Sequence, residues 1–142
     1  MSDKFFVDTN VLMYAHGSIA GGKRERARKL LADLWATRSG IVSTQVLQEL
    51  CVNLQRKVEP PLDSSMVRLV IQVYSRWEVA LNTAQSILDA LEVQDRYKLS
   101  FWDALVVQAA KSQGAAAIYT EDLSDGQEYG SVRVLNPFAA VR

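Results

Sequence analysis

One cysteine, Cys51, and one histidine, His16, are all that this 142-residue chain contains of those two residue types. A lone cysteine excludes an intrachain disulfide and any thiolate metal cluster, and it fits a reducing compartment. Long apolar runs are missing too. No stretch nears the roughly 20 residues of a spanning helix, and the amino terminus lacks the basic-then-apolar order of a signal peptide. The expected setting is the cytoplasm, with no membrane partner. Nor is there an excess of charge: sixteen Lys and Arg balance sixteen Asp and Glu. The molecule therefore has no long-range cationic field, and any polyanion must be held by a local patch. With 49% apolar residues and no repeated or biased segment, the chain can bury roughly two-thirds of its unfolded surface. One domain spanning residues 1–142 is expected.

The residues from Lys4 to Asn10 organise the rest. Phe5-Phe6-Val7 is a short run of aromatic and β-branched residues and reads as a buried strand. Asp8 then stands at its carboxyl end, where open α/β sheets bind ligands, above all where the strand order reverses. A carboxylate placed there costs stability unless it is paired or bound to a cation. A short helix through Val11 and Tyr14 follows, capped by Thr9 or Asn10, and then a glycine-rich loop over 16–22. Next come a helix over 23–37 ended by Gly40, a strand at Ile41-Val42, and a helix capped at Ser43-Thr44 and running to Lys57. Pro60 and Pro61 interrupt the pattern. Beyond them lie a helix capped by Asp63 or Ser64, an alternating strand over 77–81, and a helix capped by Asn82-Thr83. A largely apolar helix from Ala104 to Gln113, a strand over 115–119, a turn at Asp125-Gly126 and a final edge strand over 132–135 complete the chain. Such alternation predicts an α/β fold, with a mostly parallel sheet of four to five strands flanked by helices.

Four acids occupy positions that this fold can bring to one rim. Asp8 and Asp122 each follow an apolar strand, Asp103 opens the apolar helix, and Glu49 lies beside Val46, half-buried on the edge of its helix's stripe. Each has an ordinary explanation. Ser100 and Asp103 are spaced as a capping box, a helix start favours negative charge, and an acid at the edge of a stripe is commonly a surface group. Together on one rim they would repel unless hard divalent cations lay between them. Oxygen ligands without cysteine or histidine favour Mg²⁺ or Mn²⁺ over Zn²⁺, and such a site suits phosphodiester hydrolysis. The basic run Lys23-Arg24-Glu25-Arg26-Ala27-Arg28-Lys29 is either a solvated helix face or a phosphate contact, with Lys23, Arg24, Arg26 and Arg28 as the RNA-binding candidates. His16, beside the loop, reads as a surface or capping group rather than a catalyst.

Several of these pieces, in order, resemble the PIN domain, and specifically the VapC-type toxin ribonucleases. They are Asp8-Thr9-Asn10 after the first strand, Glu49 in mid-chain, Ser100-Phe101-Trp102-Asp103-Ala104, and Thr120-Glu121-Asp122-Leu123 followed by Gly126 and Asn136-Pro137-Phe138. The resemblance implies a single PIN-like domain acting as a Mg²⁺- or Mn²⁺-dependent endoribonuclease on RNA, commonly transfer or ribosomal RNA. It also implies a cognate antitoxin and a homodimer. It assigns Asp8, Glu49, Asp103 and Asp122 to an acidic quartet that is both metal-binding and catalytic. Thr9 and Asn10 match the polar groups beside the first acid, Thr120 the one before the last, and Asp125 a position where some relatives carry another polar group. The basic run at 23–29 is no part of the family's pattern.

Two other enzyme classes place an Asp after a first strand. Haloacid dehalogenase-like phosphatases want a second Asp where this chain has Asn10, and a later lysine motif that is missing here. Phosphorylated receiver domains want paired acids at that strand. A PIN-like module that binds RNA or protein without cleaving would show a missing acid, and all four acids are present.

Overall fold

The computed structural model describes residues 3–17 and 21–141, so residues 18–20 of the loop expected over 16–22 lie outside the described residues. β1 (Phe5–Val7) leads into α1 (Thr9–His16) and α2 (Gly22–Thr37), and β2 (Gly40–Ser43) into α3 (Thr44–Arg56) and α4 (Ser64–Tyr74). β3 (Glu78–Ala80) leads into α5 (Ala84–Tyr97) and α6 (Phe101–Ser112), after which β4 (Ala117–Tyr119), β5 (Glu128–Tyr129) and β6 (Val132–Leu135) complete the sheet. The order across the sheet is β3-β2-β1-β4-β6-β5, parallel throughout except where β5 meets β6.

The mostly parallel α/β fold is the expected one, with six strands in place of four to five. The added strand, β5, is two residues long and too short to show a period. Its presence corrects one reading: Val132–Leu135 lies inside the sheet between β4 and β5, not at the edge. Right-handed crossovers put α1 to α4, which carry the chain from β1 outward to β3, on one face of the sheet. They put α5 and α6, which return past β1 to β4, on the other. The direction of travel thus reverses between β1 and β4, and the carboxyl ends of these two strands flank a switch-point crevice.

Phe6 and Val7 on β1, Ile41 and Val42 on β2, Ile118 on β4 and Val107 on α6 are fully enclosed. Burying each such side chain stabilises the fold by about 1.5–3 kcal/mol over leaving it exposed. Ser43, Asp63, Thr83 and Ser100 cap α3, α4, α5 and α6 with their side-chain oxygens. α1 departs from expectation, because Asp8 caps it in place of Thr9 or Asn10. α2 ends on Arg38, left-handed at φ 54°, and Gly40 already belongs to β2. Gly40 is needed for another reason: a Cβ there would lie 2.6 Å from Cε3 of the buried Trp77. Gly40→Ala is expected to destabilise the protein by about 1–3 kcal/mol as the indole is pushed from its seat. An unchanged urea midpoint would show that Trp77 yields freely. Among the described residues no helix is long and apolar enough to cross a membrane.

Candidate active site

The β1–β4 ladder carries Asp8 into place, its N–H donating to Tyr119 O at 3.0 Å. Asp8 is 8% exposed. Its Oδ1 accepts from Thr9 N at 2.8 Å, and its Oδ2 accepts from Thr120 Oγ1 at 2.9 Å and, weakly, from Asn10 Nδ2 at 3.5 Å. Thr120, fully buried, is the hub, because its Oγ1 also accepts from Asn10 Nδ2 at 3.0 Å and from Asp122 N at 3.1 Å. Asn10 Nδ2 reaches Asp122 Oδ2 at 3.1 Å, while Asn10 Oδ1 accepts from Glu121 N at 3.3 Å. The two strand-end acids are thus tied together through one amide and one hydroxyl. Burial is the largest influence on Asp8 and raises its carboxyl to about 6. The bonds from Thr120 and from Thr9 N pull it back down, and the Glu49 and Asp122 charges push it up again.

Glu49 meets the same space from α3. It is exposed rather than half-buried as expected, yet the surrounding protein desolvates it enough to raise its carboxyl. Gln45 and Thr9 oppose that rise, Asp122 adds to it, and Lys57 offsets it. Asp8, Thr9, Asn10, Glu49 and Asp122 line one cleft of about 520 Å³, with Met13, Tyr14 and Gly17 from α1 and its end, Asn53, Lys57, Val58 and Glu59 from α3 and beyond, and Glu121. Sequence reasoning missed Asn53, Lys57 and Glu121. Asn53 does fall one helical turn after Glu49, a spacing that could have pointed to it.

Asp103 is not among the residues lining the cleft. Its N–H donates to Ser100 Oγ at 3.1 Å, the Ser100 half of the capping box that its spacing suggested; the complete box is formed by Thr83 and Ser86 at the start of α5. Its charge is felt at Tyr129 on β5, whose phenol is raised first by burial and then by Asp103. One link to the cleft lies a residue away: Gln45 Nε2 donates to Trp102 O at 3.4 Å, so the side chain that supports Glu49 also touches the start of α6. Asp125 is occupied elsewhere, its Oδ1 accepting from Asn136 N at 2.8 Å.

The basic run is largely committed to the fold. Lys23 donates to Glu121 Oε2 at 3.0 Å and to Tyr14 OH at 3.2 Å, and Tyr14 OH donates to Glu121 Oε1 at 2.7 Å. Arg26 Nε donates to Pro137 O and Arg28 Nε to Ala15 O. Arg24 Nε is buried without a partner among the described residues. His16 sits against Tyr74, its Nε2 2.6 Å from the phenol oxygen, and burial lowers its pKa with Arg28 repelling its charge further. It does not line the cleft.

The chemistry of these residues fits a hard divalent cation. The groups in the cleft able to hold a cation are carboxylates, those of Asp8, Glu49 and Asp122 among them, with the side-chain oxygens of Thr9 and Asn10 lining the same space. The acids are not drawn tight around a single point. Among the described residues, no group of three or more His, Cys, Asp or Glu side chains is close enough to hold one ion.

The sequence profile of the PIN domain matches residues 5–124, from β1 to just beyond Asp122. The chain belongs to the PIN domain family. This PIN domain is similar to VapC20 of Mycobacterium tuberculosis, a sarcin-ricin loop cleaving toxin, with 23% identity over 92% of this chain and 99% of that one and a TM-score of 0.66. A toxin–antitoxin complex from Klebsiella pneumoniae matches at 16% identity, covering 95% of this chain and 98% of that one, with a TM-score of 0.71. DNA-bound VapBC from Salmonella typhimurium matches at 20% identity over 94% and 97% of the two chains, with a TM-score of 0.62. At these identities the likeness establishes a shared fold. No curated protein matches the chain in sequence.

Proposed function

We propose that this chain is a single PIN domain acting as a metal-dependent endoribonuclease, the toxin of a type II toxin–antitoxin pair, which hydrolyses RNA phosphodiester bonds. One observation carries the reading: Asp8 from the end of β1, Glu49 from α3 and Asp122 from beyond β4 line one cleft, where burial and mutual repulsion disfavour the charge on Asp8. A cation is the counter-charge that such a group of carboxylates calls for.

Asp8, Asp122 and Glu49 would hold Mg²⁺ or Mn²⁺, with Asp103 joining them from the start of α6. A bound ion of this kind supplies a water of lowered pKa and neutralises charge on the leaving oxygen. Asn10 and Thr120 hold the two strand-end carboxylates in register, so their separation does not depend on the ion. Lys57 stands at the cleft as a cation for an RNA phosphate. The similarity to toxin–antitoxin complexes supports a cognate antitoxin as partner, and the similarity to a sarcin-ricin loop cleaving toxin supports an RNA substrate; transfer or ribosomal RNA as that substrate, a homodimer as the working state and the cytoplasm as the setting complete the proposal.

The test is RNA degradation by purified protein. Transfer and ribosomal RNA should be cut with Mn²⁺ or Mg²⁺ present and stay intact in excess chelator, and Asp103→Asn should lower the rate by about 100-fold. Cleavage that persists in chelator would trace to a contaminating nuclease and remove the reading. Unaltered cleavage by Asp103→Asn would take that residue out of the site and leave the other three in it.

A further inference from the structure

The amino ends of the strands, on the opposite edge of the sheet from the acidic cleft, carry a pocket of about 360 Å³, a size usual for small-molecule sites. It is lined by Lys4 just before β1, Trp35 near the end of α2, Arg38 and Gly40 at the approach to β2, and Arg76, Trp77 and Glu78 at the approach to β3. The balance of charge is the reverse of that in the cleft, with three cations facing one acid. Lys4 Nζ lies 3.3 Å from both Glu78 carboxylate oxygens. Arg38 and Arg76 remain as exposed guanidiniums, and neither is in an ion pair among the described residues.

Two indoles form the wall beside them, with centroids 5.3 Å apart and planes 57° apart. Trp35 is 36% exposed and Trp77 only 8%. The Trp77 indole is held in place by Trp35 on one side and Tyr74 on another, with ring centroids 5.3 and 5.1 Å away. Planar guanidiniums match phosphate oxygens two at a time, and an exposed indole face takes a base by stacking. Inorganic phosphate would meet only the first requirement, and an uncharged nucleoside only the second.

We propose that this pocket binds a nucleoside phosphate, either a free nucleotide or one unit of an RNA strand, through Arg38, Arg76 and the exposed indole of Trp35, which Trp77 backs. The site stands independently of the nuclease reading, since no residue is shared with the cleft.

The test uses the full chain with Trp102→Phe, so that indole fluorescence reports only Trp35 and Trp77. In excess chelator it is titrated with adenosine 5′-monophosphate, adenosine, inorganic phosphate and a single-stranded oligoadenylate. The monophosphate should quench the emission saturably, with adenosine and phosphate each at least about tenfold weaker. Changing Arg38→Ala and Arg76→Ala together should weaken the monophosphate by about tenfold or more, with unchanged far-ultraviolet dichroism showing that the fold is kept. If the oligoadenylate binds more tightly than the monophosphate and depends equally on the two arginines, the source is an RNA strand; if only the monophosphate saturates, it is a free nucleotide. The proposal is overturned if neither ligand saturates, if the arginine changes leave both affinities unaltered, or if inorganic phosphate competes as well as the monophosphate.

Discussion

In metal-free buffer Asp8→Asn should melt above the parent protein at pH 7.5 and draw level with it near pH 4, and with Mn²⁺ or Mg²⁺ supplied it should cleave no RNA at any pH. In the fold the Asp8 carboxyl is raised from 3.8 to about 6, with burial as the main cause. The folded chain therefore holds this proton more tightly than the unfolded chain does. Between those two values unfolding releases a proton, so the contribution of Asp8 is most favourable below about pH 4 and is lost as the pH rises through about 6. Each pKa unit corresponds to roughly 1.4 kcal/mol, so the loss is about 3 kcal/mol. In a domain of this size that is several degrees, at about 2–4 °C per kcal/mol. Asparagine keeps an oxygen for Thr9 N and carries no charge, although the amide that replaces Oδ2 no longer accepts from Thr120 Oγ1 and meets the Asn10 amide less comfortably, so the gain falls short of the full figure. Because other groups also titrate, the quantity to follow is the difference in melting temperature between variant and parent across pH. A difference that stays flat from pH 4 to pH 7.5 would remove Asp8 as a strained acid. Mn²⁺ should close the gap by stabilising only the parent, and more so as the pH rises past about 6, since the ligand must first lose its proton.

Thr120→Val should lower RNA cleavage by about 10- to 100-fold and cost about 1–3 kcal/mol of stability, whereas Thr120→Ser should restore both. Valine nearly keeps the shape of threonine at this fully enclosed position, so lost volume is not the cause. What disappears is a single oxygen that donates to Asp8 Oδ2 and accepts from both Asn10 Nδ2 and Asp122 N. The bond from Thr120 is also the strongest force holding the Asp8 carboxyl down, so without it the carboxyl rises further. Half-maximal cleavage should then move to higher pH. Urea midpoints and a pH profile of cleavage give the two readings. An unshifted profile with lowered stability would reduce Thr120 to a structural part.

The strand-end acids were legible in the sequence because both depend on local pattern. A short apolar run followed by Asp8, and another followed by Thr120-Glu121-Asp122, fix the ends of β1 and β4, and parallel pairing then sets them side by side. Glu49 was legible from helical periodicity, although its openness to solvent was not. Asp103 shows where local pattern stops. Its spacing from Ser100 announced a cap, which the fold contains, but whether a helix start also faces a distant cleft depends on how α6 lies on the sheet. The basic run shows the same limit. Lys23, Arg26 and Arg28 look solvent-bound in sequence, yet Glu121, Pro137 O and Ala15 O reach them from segments that a local reading keeps apart. β5 escaped notice because two residues carry no periodicity, and that omission left β6 at the edge of the expected sheet.

β1 is the first strand to be synthesised, and one of its two neighbours is β4, which pairs Phe5 with Ala117. Asn10 and Asp122, which share a hydrogen bond, are 112 positions apart. At about 5–20 residues per second, the ribosome would extrude Asp8 roughly ten seconds before Asp122. During that interval the nascent chain carries only part of its acid set and cannot close the cleft. A cleft wired in this way takes shape only once Asp122 has joined Asn10 and Asp8, so whatever it binds meets no finished site on the growing chain before then.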